Sequence, residues 1–386
     1  MNNCKRLALI IISLLFISSC SSLSGLKFWG NEEETEQPAE LISINQTVEI
    51  QTEWNKNLGI GKNYGRIVPA FSGDQVVYIS ANGELSLLDK ETGNEIWKKE
   101  TGEMVSGAIA VGFKRIFFGS LDGEIICLDL DDGSEIWRSQ TTSEILSTPV
   151  TNGSVVVTQS ADGKVTGFNF KDGKQMWVHQ SAVPKLTLRG TATPILGKGF
   201  IFTGFANGKV AMIYPDSGAI RLEMPVTINE GKSELERVVD VDGKSVLSNN
   251  VLISASYQGN ITAINLLEGK IDWQEKVSTT HDLVAVRSRV MAIDAKDSIK
   301  AFGVSTGAIL WQQEGLRLRE MSSPAIVGTY YAVGDFEGYV HILDSKDGSF
   351  LARKKISNKP ILAIVSEGKN ILVLDNEGKL TYLTIG

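Results

Sequence analysis

The sequence predicts an all-β chain folded as an eight-bladed β-propeller of four-stranded antiparallel blades, with a ring closed by strands from both termini. Three observations predict it. A unit with two glycine turns and a tryptophan recurs along the chain, its period is close to forty residues, and the last copy lacks an end that residues near position 50 can supply. The unit is clearest from Leu121 to Trp137. Asp122-Gly123 is a tight-turn signal, Ile125 and Cys127 follow an extended pattern, and a second turn from Asp129 to Gly133 leads into Ser134 to Trp137.

The other copies keep the register. Asn82-Gly83 leads to Gly93 and Trp97, Asp162-Gly163 to Gly173 and Trp177, and Gln258-Gly259 to Gly269 and Trp273. Asn207-Gly208 and Gly218 lead to Leu222 where a tryptophan is expected, Asp297 stands in for the first glycine before Gly307 and Trp311, and Gly338 and Gly348 lead to Ala352. Gly378 opens an eighth copy that stops at Gly386. Gln51-Thr52-Glu53-Trp54 reads as its missing final strand, with Trp54 lying 43 residues before Trp97. A small sheet cannot bury both faces alone, so the array must bend round and meet itself. First-glycine spacings of 40, 40, 45, 51, 38, 41 and 40 fit four-stranded blades. The tryptophans are expected to fill the wedges between blades, against small residues such as Ala81, Ala161 or Ala206. Asp89, Asp129 and Asp344, with Asn169 and Asn265 at equivalent places, recur six residues after the first glycine and are expected to cap the second turn.

Residues 1–19 stand outside the fold. Lys5 and Arg6 precede an apolar run from Leu7 to Ile17, which is too short to span a bilayer as a helix. With Ile17-Ser18-Ser19 before Cys20, the stretch resembles a bacterial lipoprotein signal, which implies lipidation of Cys20 and cleavage before it. Ser21 follows, and the sorting rule for such proteins then implies retention in the outer membrane, on its periplasmic face. Several acyl chains on one cysteine anchor firmly, where one chain binds only marginally. Residues 20–45, with the run Asn31-Glu32-Glu33-Glu34-Thr35-Glu36-Gln37-Pro38, read as a flexible tether, and residues 46–386 as the propeller.

Composition narrows the function. The formal net charge is −7 and becomes −9 once Lys5 and Arg6 leave with the leader, so nucleic acid is excluded as a natural partner. Cysteines occur at 4, 20 and 127 alone, which leaves Cys127 as a small apolar strand residue without a disulfide partner. His179, His281 and His341 fall in different repeats at no metal-ligand spacing, and no phosphate loop, nucleophile elbow or zinc-binding helix is present. No catalytic residue, cofactor site or metal site is assigned.

The unit small-x-(Asp/Asn)-Gly-x5-Asp-x3-Gly-x3-Trp resembles the quinoprotein repeat, the blade motif of eight-bladed enzymes that use pyrroloquinoline quinone. Those enzymes hold the quinone beneath a disulfide between adjacent cysteines, with calcium and a catalytic Asp. No Cys-Cys pair occurs here, so the resemblance implies the fold and not the activity. A second resemblance covers nearly the whole chain. The lipobox at Cys20, Ile60-Gly61-Lys62-Asn63-Tyr64, Lys185-Leu186-Thr187-Leu188-Arg189-Gly190, Glu234 to Asp242 and Tyr257 to Ala263 are similar to the outer-membrane lipoproteins of the β-barrel assembly machinery. Members of that family are non-enzymatic scaffolds. The resemblance implies binding to the periplasmic POTRA domains of BamA, the barrel-inserting subunit, and help in delivering unfolded outer-membrane proteins. It implies partner-binding roles for Leu186, Leu188, Arg189, Asp240 and Asp242. Gly243 to Leu247 departs from the family by lacking a Thr-Thr-Pro.

The residues point to the same region independently. The two long spacings, 45 and 51, put the extra residues in consecutive intervals, and insertions in repeat proteins map to loops that often bind. Leu186 and Leu188 lie in the first, beside an arginine whose planar fork suits a carboxylate or a free carbonyl. A second Leu-x-Leu-Arg run, Leu316 to Arg319, is expected to pack a blade with its arginines solvated. Unpaired edges on the outermost strands suggest β-strand addition by a partner. The alternatives are a degenerate quinone enzyme and an envelope propeller that binds a ligand.

Overall fold

The paired turns of each repeat bring four strands side by side, and the two middle strands are buried on both faces because each sheet is sandwiched between its neighbours. Gln75–Ile79 and Glu84–Asp89 are of this kind, whereas the fourth strand, Glu95–Glu100, is largely exposed. The computed structural model describes residues 36–62, 66–188, 190–228 and 231–386. The leader, Cys20 and most of the acidic run lie outside the described residues. Residues 38–386 form one compact unit. Within it the described residues build eight four-stranded antiparallel sheets, blades 1 to 8. Blade 1 runs from Ala70 to Glu100, blade 2 from Ala110 to Gln140, blade 3 from Val150 to Gln180 and blade 4 from Ile195 to Pro225. Blade 5 spans Val246 to Lys276, blade 6 Val284 to Gln313 and blade 7 Ala325 to Lys355.

Blade 8 closes the ring. Its three inner strands come from Ile361 to Ile385, and its outermost strand is Ile50–Asn57. Ile50 pairs with Ile385, Trp54 with Tyr382 and Asn57 with Lys379, and the Trp54 and Tyr382 rings stack with centroids 5.5 Å apart. A ladder of backbone hydrogen bonds thus joins the two ends of the fold.

Each tryptophan among the described residues reaches into the next blade. Trp54, Trp97, Trp137, Trp177, Trp273 and Trp311 donate their indole N–H to the carbonyls of Lys90, Leu130, Phe170, Pro215, Val304 and Ser345. Each acceptor lies three residues before the second glycine of the following repeat, and the indole lies flat on that glycine. A Cβ on Gly93 would sit 2.6 Å from Trp54, and one on Gly173 would sit 2.5 Å from Trp137. The small residue that admits the ring is therefore the second glycine, rather than Ala81, Ala161 or Ala206. Ala352, at the tryptophan position of blade 7, is followed by a blade without a second turn, since the outermost strand of blade 8 is Ile50–Asn57. The recurrent Asp and Asn cap the second turns as expected. Asp89 Oδ1 accepts the Thr92 N–H at 2.8 Å, and Asn169 Oδ1 accepts the Lys171 N–H at 2.8 Å. Cys127 is fully buried, and burial pushes its thiol up to about 12.

The outermost strands keep an outer edge unpaired with any further strand among the described residues, as the sequence suggests, but that edge is not flat. In all eight blades the outermost strand carries a β-bulge at the residue before the tryptophan position: Glu53, Ile96, Ile136, Met176, Arg221, Asp272, Leu310 and Leu351. A bulge twists an edge away from flat pairing, so the same device that seats each tryptophan also blunts strand addition. The tether differs. Where the sequence suggests a flexible segment up to residue 45, Ala39 N–H donates to the Arg317 carbonyl at 2.9 Å and Thr47 N–H to the Leu351 carbonyl at 2.8 Å.

Candidate partner-binding site

The two insertions lie on one face of the ring, the face that carries the loops between blades. Residues 181–194 link blades 3 and 4, and residues 226–245 link blades 4 and 5. Leu186 is 43% exposed and Leu188 39%, with no strand pairing to use them. Val183 is exposed in the same loop, and Ile228 and Leu235 in the other. Exposed apolar side chains on adjoining insertions are spare to the core and are of the kind that marks interaction surfaces. Arg189 lies outside the described residues.

The second insertion is fixed by an alternation that the sequence shows as Val239-Asp240-Val241-Asp242. Val241 packs against Gly204 and joins Phe202, Val226 and Leu252 in an apolar cluster, and its N–H donates to the Phe205 carbonyl at 3.2 Å. Asp240, on the opposite side, is fully buried. Its carbonyl accepts the Tyr257 N–H at 2.9 Å, and its Oδ2 accepts the Leu188 N–H at 2.6 Å. One carboxylate on the second insertion therefore holds the backbone of the first. Oδ1 of Asp240 is buried with no hydrogen-bond partner. Burial raises the Asp240 pKa above its ordinary value, and the Leu188 N–H opposes the shift.

Asp242 is half-buried against Gly190, where an added Cβ would meet its carboxylate at 2.6 Å. Burial, reinforced by the Asp240 charge and opposed by Arg66, pushes Asp242 up to about 7. Of the residues the sequence singles out, the structure thus joins Leu188, Asp240 and Asp242 with Gly190 in one cluster and leaves Leu186 exposed beside it. Sequence reasoning passed over Gly190 as a contact; its place directly after the Leu-x-Leu-Arg run was the available signal.

The channel along the ring axis has a volume of about 720 Å³ and is lined by inner-strand residues of the blades. Arg66 crosses part of it, pairing with Asp282 at 2.8 Å and donating to the Ser323 hydroxyl at 3.1 Å. Burial disfavours the Asp282 charge, but Arg66 and the Lys244 N–H outweigh it and hold the carboxyl below the usual carboxylate range. These residues do not fit a quinone with calcium. The chain has no adjacent cysteines, Asp282 is already engaged by Arg66, and no group of three metal-ligating side chains occurs among the described residues.

Comparison with known proteins agrees with this architecture. The family profile described as outer membrane protein assembly factor BamB matches residues 81–313 and 278–371. The chain is 42% identical to the protein of that name from Pseudomonas aeruginosa, over 99% of both chains. It is 31% identical to that of Escherichia coli, over 95% of this chain and 97% of the relative. The crystal structure of BamB from Moraxella catarrhalis superposes with a TM-score of 0.80 at 22% identity, covering 87% of this chain and all of that one. Quinohemoprotein alcohol dehydrogenase from Comamonas testosteroni shares the fold at a TM-score of 0.69 and 11% identity, over 87% of this chain and 76% of the enzyme. The chain belongs to the outer membrane protein assembly factor BamB family.

Proposed function

We propose that the chain is a non-enzymatic scaffold of outer-membrane β-barrel assembly. It docks the POTRA domains of BamA through the loop that carries Leu186, Leu188 and Arg189, and so assists delivery and insertion of unfolded outer-membrane proteins. Cys20 carries the lipid anchor, which holds the propeller at the periplasmic face of the outer membrane.

The observation that carries this reading is the pair of exposed leucines on a loop whose backbone is tied down by a buried carboxylate. An apolar anchor that is already ordered loses little conformational entropy on binding, which favours a specific partner. The roles divide accordingly. Leu186, Leu188 and Arg189 touch the partner, whereas Asp240 acts through Leu188 and Asp242 through Gly190. The bulged outer edges favour docking by this loop over strand addition along the perimeter.

A photo-crosslinking residue placed at Leu186 tests the reading. It is expected to link to the POTRA domains, while the same group at Met176, an exposed apolar bulge residue of blade 3, gives no link. Equal yields from both positions would move the site away from the insertions.

A further inference from the structure

The Leu316–Arg319 run does not solvate its second arginine. Leu316 is buried beside Trp311 and Tyr331, and Arg319 is only 3% exposed. Leu318 and Glu320, on either side of Arg319, adopt left-handed φ angles of 58° and 49°, a conformation side chains avoid. They are held there by the Lys296 carbonyl, which accepts the Leu318 N–H, and by Asp297 Oδ2, which accepts the Glu320 N–H at 2.7 Å. This backbone turns Arg319 inward. Its Nε donates to Asp335 Oδ2 at 2.9 Å, its Nη2 pairs with Glu337, and its guanidinium lies 4.9 Å from the centre of the Phe336 ring.

The network continues through blade 7. Asp335 Oδ2 lies 3.0 Å from His341 Nε2, and His341 Nδ1 accepts the Arg353 Nε–H at 3.0 Å. Arg353 has only protons to offer, so the imidazole proton sits on Nε2 and points at Asp335. Blade closure does not require this arrangement. In blades 1 to 3 the position three residues before the first glycine, held here by Asp335, is Ser80, Ser120 or Ser160. Blades 6 and 8 have Asp294 and Asp375 there, which cap the turn as Asp335 does but bind no buried arginine among the described residues. What blade 7 has in addition is a strap. Arg319 Nη1 donates to the Ala39 carbonyl at 2.9 Å, and Arg353 Nη1 to the Ile42 carbonyl at 2.8 Å. Leu41 packs onto the cluster around Trp311. With the Ala39 and Thr47 backbone bonds, residues 39–47 run down the outer edge of blade 7, beside the strand Phe350–Lys355.

We propose that the groove framed by Arg317, Arg319 and Arg353 is a receptor for the backbone of residues 39–42, and that it fixes the point at which the membrane tether leaves the ring. Arg319 and Arg353 bind main-chain carbonyls and Arg317 offers its own carbonyl, so the groove reads an extended backbone, with Leu41 the side chain it seats. The strap starts at a loop between blades and therefore leaves on the face that bears the Leu186–Leu188 loop. It does so three to four blades further round the channel. The exit point of the tether and the partner loops are thus held on one face of the ring, and the residues before it set how far the anchor can reach. The consequence for the anchor rests on the lipidation of Cys20 proposed above; the groove itself does not.

The test uses the mature lipidated chain in vesicles of phosphatidylethanolamine and phosphatidylglycerol, with spin labels at Ile42→Cys and Leu310→Cys. Both sites are exposed, and buried Cys127 does not compete for label. One narrow distance distribution is expected. It should broaden at least twofold in Arg353→Met, and also in Ala39→Pro, which removes a strap N–H without touching the ring. Circular dichroism should show a folded propeller in each case. A broad distribution in the parent, or a narrow one that survives both changes, overturns the receptor. Failure of the chain to join vesicles would overturn the anchor reading alone, because the label distances still decide the groove in solution.

Discussion

The Leu188 N–H donates to Asp240 Oδ2 at 2.6 Å, joining the two insertions through residues 52 apart in sequence. Asp240 is fully buried and cannot meet a partner, yet it sets the course of a loop that can. Removing a buried acceptor costs about 1–3 kcal/mol, most of it felt locally. Asp240→Ala is therefore expected to weaken POTRA binding by about tenfold. It should also speed amide exchange across residues 186–188. Asp240→Asn keeps an acceptor oxygen and is expected to stay within about threefold of the parent. Equal loss in both variants would show that the charge, and not the hydrogen bond, matters.

Gly190 has no room for a side chain beside Asp242. Gly190→Ala is expected to displace the loop and weaken binding, and Asp242→Ala in the same chain to restore part of it. A double-mutant cycle with no coupling between the two positions would contradict the contact.

Asp242 gives a pH dependence with a definite sign. Its folded value is pushed up to about 7, while an unfolded aspartate titrates near 4. The folded state holds a proton through that interval and the unfolded state does not, so this group makes stability fall as pH rises from about 4 to 7. Asp242→Asn removes the effect. It is expected to be more stable than the parent at pH 8, by on the order of 2 kcal/mol, with the difference vanishing below about pH 4. Urea unfolding at several pH values checks this, and parallel curves for the two proteins would contradict it.

The wedge between blades 6 and 7 tests the packing rule. Trp311 donates to the Ser345 carbonyl, and a Cβ on Gly348 would meet its ring at 2.5 Å. Trp311→Ala is expected to cost about 3–5 kcal/mol. Gly348→Ala is expected to cost less, on the order of 2 kcal/mol, from the ring contact and a φ of 75°. Because the added Cβ at position 348 clashes with the Trp311 ring itself, removing the ring relieves that clash, and the sum of the single costs should exceed the cost of the double variant.

The repeating part of this fold was legible because repetition averages over local exceptions. Seven imperfect copies and a detached strand ending at Trp54 sufficed to place the ring closure. The second glycines were visible as turn signals, but their contact with the preceding blade's indole is a tertiary fact that spacing does not carry. The non-repeating features were read less well, for a physical reason. An aspartate in a loop reads as solvated, and nothing in Val239-Asp240-Val241-Asp242 says that the valines bind blade 4 and turn Asp240 inward. Arg319 misled in the same way, since a buried arginine depends on Asp335, Glu337 and a strap nearly three hundred residues away in sequence. The Leu186–Leu188 loop was found because inserted length is itself a departure from the period.

The central claim is that the two exposed leucines anchor the partner. Titration calorimetry of the chain from Ser21 onward against the isolated POTRA domains tests it most directly, with Leu186→Ala/Leu188→Ala and Arg189→Glu variants checked by circular dichroism. Measurable binding by the parent and a loss of at least about tenfold in each folded variant is the expected result. Undiminished binding by both variants would contradict the claim and place the interface elsewhere on the ring.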